Sequence, residues 1–93
     1  MPSYAVYILA SARNGTLYVG MTRDLDARLA QHRSGTGSRF TAKHGVMRLV
    51  WFERHDDVEA AIARERSIKR WRREWKLALI EAGNPRWEEL SVN

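Results

Sequence analysis

The chain has 93 residues, 44% hydrophobic with four Trp and no Cys. That suits one small domain over residues 1–93, whose core is limited because a chain this short buries only about 60–65% of its surface. Disulfides and thiolate metal sites are excluded, which fits a reducing cytoplasm. No apolar run approaches the ~20 residues that cross a bilayer, so no membrane partner is expected, and no basic segment precedes "YAVYILA" as in a signal peptide. The net charge of +5 is clustered: residues 64–76 hold seven Lys/Arg against two Glu, and residues 28–48 hold five Lys/Arg and no acid. Such clusters favour a polyanion through counterion release, and they point to nucleic acid.

In chain order, Tyr4 to Leu9 is β-branched and aromatic and predicts a strand. Asn14-Gly15 signals a hairpin, with Thr16 to Met21 returning. A two-residue loop there would put Tyr7, Leu9 and Ser11 on one face with Thr22, Gly20 and Tyr18, leaving the two tyrosines about 13 Å apart. A wider loop with a shifted register would bring them closer, and the sequence leaves both open. A short helix follows, capped by Thr22 or Asp24 and stopped at Gly35. Residues 34–45 read as loop and Val46 to Glu53 as a third strand. From Asp56 or Asp57 the pattern is helical to about Ala82, where Gly83, Asn84 and Pro85 end it. Val58, Ala61 and Ile62 form its first buried stripe. Ile68, Trp71, Trp75 and Ala78 form a second, rotated by roughly 100°, which predicts a break near residues 66–70. The tail is expected to dock through Trp87 and Leu90. The order β-β-α-β-α-α predicts an α/β (α+β) domain, a small three-stranded antiparallel sheet flanked by helices.

Several side chains invite a chemical reading. Strand tyrosines such as Tyr7 and Tyr18 commonly just pack. Leu25 and Leu29 mark the buried side of the short helix, and Arg28 and His32, also four residues apart, project together along its edge. They are either a solvated pair or a phosphate site, since the Arg fork donates two parallel charge-assisted hydrogen bonds. Glu65 falls within the buried stripe of the long helix, in its most basic stretch. Two readings stand side by side: an ordinary pair with Lys69 four residues on, or a lone carboxylate that holds Mg²⁺ with water and phosphate oxygens. His44 and His55 stand apart and suggest no role. Three separated His without Cys give no zinc spacing, and "GTGS" lacks the context of a phosphate loop.

"AVYIL", then "LYVG" with eleven positions from Tyr7 to Tyr18, then Arg28, His32 and Glu65 in order, resemble the GIY-YIG nuclease family. The likeness is to its small stand-alone bacterial members, related to the nuclease domain of the excision-repair incision subunit, and it runs from about Tyr4 to Leu90. The resemblance implies a three-stranded antiparallel sheet and phosphodiester hydrolysis, expected on DNA in repair or recombination, with Mg²⁺ or Mn²⁺ held by Glu65. It assigns Tyr7 and Tyr18 to the two motif tyrosines, Arg28 and His32 to the helix pair, and Glu65 to the metal ligand. Gly20 closes the second motif, where a missing side chain leaves room for backbone or substrate. Tyr7 is favoured over Tyr18 as the base, and His32 assists either the tyrosine or the phosphate. Lys69, Arg70, Arg72, Arg73 and Lys76 are assigned to the nucleic-acid backbone. Two departures stand out: Ala5 replaces the first Gly of the family name, and Leu77 stands where several members carry an Asn. The second keeps open a binding module with this fold and little activity.

Overall fold

The computed structural model describes residues 3–36 and 39–92. Gly37 and Ser38, in the segment read as loop, lie outside them. The apolar strand β1 (Tyr4–Ala10) is the centre of a three-stranded antiparallel sheet ordered β2-β1-β3, between β2 (Leu17–Thr22) and β3 (Arg48–His55). Helices α1 (Leu25–Arg33) and α2 (Arg39–His44) intervene between β2 and β3, and α3 (Val58–Arg70) and α4 (Arg73–Gly83) follow. The expected order therefore holds, with α2 added. Its single buried residue, Thr41, leaves no stripe that a sequence pattern could reveal.

Both faces of β1 are covered, which is why it reads as a continuous apolar run. Val6, Ile8 and Ala10 pack with Val50, Ala61, Ile68, Ile80 and Trp87, beneath α3 and α4. Ala5, Tyr7 and Leu9 pack with Leu25, Leu29, Val46 and Leu49, against α1. Period-2 alternation thus sorts one strand into two cores. At a bulge, Ile8 pairs with Trp51 and Leu9 with Leu49, so Val50 is extra and joins the α3–α4 side.

The hairpin decides the position of the tyrosines. Asn14 takes a left-handed conformation at φ 59°, and Gly15 N–H donates to the Ala12 carbonyl at 2.9 Å. The loop therefore spans Ser11 to Thr16, closed by Ser11 N–H on the Thr16 carbonyl at 3.0 Å. It is wider than a two-residue turn, and Tyr7 pairs with Gly20 rather than Thr22. From α4, Arg73 Nη2 donates to the carbonyls of Asn14 at 2.8 Å and Gly15 at 2.6 Å, clamping this geometry.

Helix ends follow their caps. Asp24 and Asp57 accept from Ala27 and Ala60 N–H, each at 3.1 Å, and Gly35 leaves α1 at φ 83°. The long helical region breaks at Trp71 and Arg72, both extended at ψ 152° and 148°, slightly beyond the expected 66–70. The break re-aims α4, so the stripe projected through it fails. Trp75 is 51% exposed and Ala78 is exposed, whereas Ile80 is buried and Leu77 and Leu79 partly so. Val58, at the first turn of α3, is exposed as well.

The tail is pinned as expected. Trp87 is fully buried, and Leu90 packs beside Leu49, its N–H donating to the Leu49 carbonyl at 2.9 Å. Buried Asn84 organises this region. Its Nδ2 donates to the carbonyls of the bulge residue Val50 at 3.2 Å and Glu88 at 2.9 Å, while its Oδ1 accepts from Glu88 N–H at 3.0 Å. Asn84→Ala strands these backbone groups. It is expected to lower the unfolding free energy by about 2–3 kcal/mol in urea titrations at unchanged m-value; a loss under about 0.5 kcal/mol would contradict this role.

Candidate active site

The observed register brings Tyr7 and Tyr18 onto one face, their ring centroids 6.2 Å apart. Gly20 makes this possible. A Cβ at Gly20 would lie 2.5 Å from Tyr7 Oη, 2.6 Å from Tyr7 Cζ and 3.0 Å from Tyr18 Cε1. The space left by the missing side chain is filled by the tyrosines themselves.

His32 reaches the same place from α1. Its position four residues after Arg28 and three after Leu29 turns it inward, and it is buried. Its Nε2 is hydrogen-bonded to Tyr7 Oη at 3.1 Å and its Nδ1 to Thr41 Oγ1 at 3.0 Å. Burial first, then the Arg28 charge, lowers its pKa below the ordinary 6.5, so it is neutral, with one ring nitrogen donating and the other accepting. Its ring meets Tyr18 edge-on at 5.2 Å. Thr41 is a contributor that sequence reasoning missed, because α2 reads as loop.

Tyr7 is buried, and its hydroxyl is pushed well above the ordinary tyrosine pKa, chiefly by burial, then by Tyr18. Arg28 opposes that shift and Glu65 adds to it, so both charges act on this hydroxyl. Tyr18 is half-buried in the same cluster. Arg28 is half-buried and makes no side-chain hydrogen bond or ion pair among the described residues.

Glu65 lies on α3 between buried Ala61 and Ile68, and its side chain is 20% exposed. Lys69 Nζ sits 3.3 Å from its Oε2, the pair expected from their spacing. Its neighbour Arg64 turns the other way, to Glu53 at 3.0 Å and over Trp71 at 5.4 Å. Among the described residues no three His, Cys, Asp or Glu gather as a metal cluster. A lone carboxylate with an exposed Lys partner fits a hard cation that takes one protein oxygen and completes its shell with water and phosphate oxygens; it does not fit zinc.

The basic residues differ in their freedom. Lys69, Arg70 and Arg72 are exposed, with Arg72 over Trp75 at 5.5 Å. Arg73 is exposed but tied to the hairpin carbonyls. Lys76 is half-buried, donates to the Lys69 carbonyl at 3.4 Å, and has its pKa lowered by burial and then by Arg73.

Residues 3–78 match the family model described as the GIY-YIG catalytic domain. The chain belongs to the GIY-YIG family. Among its relatives is a UPF0213 protein of Staphylococcus saprophyticus, 34% identical over 83 residues, which covers 89% of this chain and all of the relative. Another, from Haloquadratum walsbyi, is 35% identical and covers 89% of this chain and 93% of the relative. The solution NMR structure of a UPF0213 protein from Bacillus halodurans superimposes with a TM-score of 0.59 at 32% identity, over 94% of this chain and 92% of that one. This GIY-YIG chain is thus similar, nearly end to end, to small stand-alone proteins, and the family implies a nuclease-type activity. No helix among its described residues is long and apolar enough to cross a membrane.

The neutral His32 carries a pH signature. Above about pH 6.5 it is neutral whether the chain is folded or not, and its contribution to stability is complete. As pH falls from there towards its lowered folded pKa, the unfolded chain takes up a proton that the folded one refuses, so stability declines. The wild type should therefore lose melting temperature between pH 7 and 5 more steeply than His32→Gln; parallel curves would refute this.

Proposed function

We propose that this GIY-YIG protein is an endonuclease that hydrolyses phosphodiester bonds of DNA with Mg²⁺ or Mn²⁺, in repair or recombination. What supports the reading most is the cluster of Tyr7, Tyr18 and His32 in mutual contact, with Arg28 and Glu65 charges both acting on the Tyr7 hydroxyl. The absence of Cys fits a cytoplasmic setting.

Water attacks phosphorus as the bond to the leaving oxygen breaks; the attacking water gives up a proton and the leaving oxygen gains one. Glu65 would hold the cation, exchanging its Lys69 partner for it. A cation held there would supply positive charge that offsets the negative charge developing on the phosphate. Arg28, with its fork unengaged among the described residues, neutralises charge developing on the non-bridging oxygens. Tyr7 is buried, and its hydroxyl and neutral His32 hold each other in place, so in this reading it orients the cluster. Tyr18, half-buried beside them, is the tyrosine assigned to the attacking water. His32 assists the tyrosines rather than the phosphate, because its ring is buried and both nitrogens are engaged. Lys69, Arg70 and Arg72 are exposed and take the nucleic-acid backbone; Arg73 and Lys76 add charge behind them.

A second reading, a binding module with little activity, draws on Leu77. It packs against the α3–α4 core, so no polar group reaches out from that position. Cleavage decides between the two.

Glu65→Ala and Arg28→Ala should each lower cleavage of nicked, flapped or junction DNA in Mg²⁺ or Mn²⁺ by at least about 100-fold while the melting curve is kept. Wild-type rates in either variant would overturn that residue's role, and binding without cleavage by the wild type in both metals would select the module. Replacing Lys69, Arg70 and Arg72 together by Ala should flatten the salt dependence of DNA affinity by roughly 2–3 in log–log slope. An unchanged slope would remove the backbone assignment.

A further inference from the structure

The ring cluster does not stop at the tyrosines. Tyr18 continues to Phe40 at 6.2 Å, with planes 33° apart, and Phe40 to His44 at 4.6 Å. Both outer rings belong to α2, whose Thr41 is hydrogen-bonded to His32, so the helix that steadies the buried site also carries the rings beside it. Phe40 remains 43% exposed, unusual for a large apolar side chain next to a buried core, and His44 is exposed too. The surroundings are basic: Arg39 and Lys43 are exposed on the same helix, and no acid occurs from residue 28 to 48.

We propose that Phe40 and His44 form a stacking face for an unpaired base of single-stranded DNA, one ring beyond Tyr18, so that the preferred substrate has a single-stranded segment next to the cleaved phosphate. The inference rests on the nuclease reading above and adds the substrate class. Every base has a π-face, so an exposed ring pair in a basic setting grips single strands with little regard to sequence. A base paired within a duplex offers no such face to α2. Duplex DNA would therefore use the phosphate contacts alone.

The test uses a fluorescein-labelled 20-nucleotide single strand of mixed sequence and its fully paired duplex, measured by anisotropy in EDTA at low salt. Phe40→Ala should weaken single-strand binding about tenfold, leave duplex binding within about twofold, and keep the wild-type melting curve. Phe40→Tyr, which keeps the ring, should restore single-strand affinity. In strands carrying one abasic position, the wild type should lose affinity most at one or two positions, and Phe40→Ala should lose that dependence. Unchanged single-strand affinity in Phe40→Ala, equal losses on strand and duplex, or no abasic dependence in the wild type would each overturn the stacking face. Metal-dependent cleavage by the wild type in the presence of any of those results would leave the nuclease reading standing. A wild type that binds neither probe and cuts no DNA would remove both.

Discussion

The Tyr7 ring lies where a side chain at position 20 would have to be, and the rest of the site depends on that contact. It requires Tyr7 opposite Gly20, which in turn requires the hairpin to turn between Ser11 and Thr16 rather than at Asn14-Gly15 alone. Arg73 clamps the loop carbonyls from the start of α4. The break at Trp71 and Arg72 sets where α4 begins, so the path of the second half of the chain and the register of the first are coupled. With the tyrosines paired over Gly20, His32 has a partner on each side and Thr41 anchors α2 behind it.

The site divides into a neutral, buried part and a charged, accessible one. Tyr7 and His32 are kept uncharged by burial and hold each other in position. Arg28, Glu65 and Lys69 lie nearer solvent, and Glu65 is paired with an exposed Lys that costs little to displace. An acidic ligand for a hard cation within a basic stretch is consistent with both features that the sequence shows at position 65. The Lys69 pair and the metal role are compatible: one describes the resting partner, the other the proposed working one.

Local signals carry much of this fold. Asp24, Gly35 and Asp57 cap or end their helices as side-chain chemistry dictates, β1 announces itself by composition, and the Asn84 region ends α4. Non-local choices were less legible. The hairpin register hinges on Asn14 adopting a left-handed conformation and on Arg73, 59 residues away in sequence. The stripe projected over Trp75 and Ala78 fails because a helix phase does not survive a break that no Pro or Gly marks. A six-residue helix with one buried residue, α2, is invisible to periodicity, and with it Thr41 and Phe40 escape notice. Grouping Tyr7, Tyr18, Arg28, His32 and Glu65 as one proposed site comes from the family resemblance; spacing alone leaves each of them with an ordinary structural explanation.

Paramagnetic broadening by Mn²⁺, followed in ¹H–¹⁵N spectra of the protein without DNA, tests most directly whether these residues share one cation site. Signals of Glu65 should broaden first, together with those of Tyr7, Tyr18 and Arg28 across the elements that carry them, and Glu65→Gln should abolish the pattern. Broadening confined to the acidic residues of the tail, or unchanged by Glu65→Gln, would contradict a metal-dependent site built on the tyrosine pair.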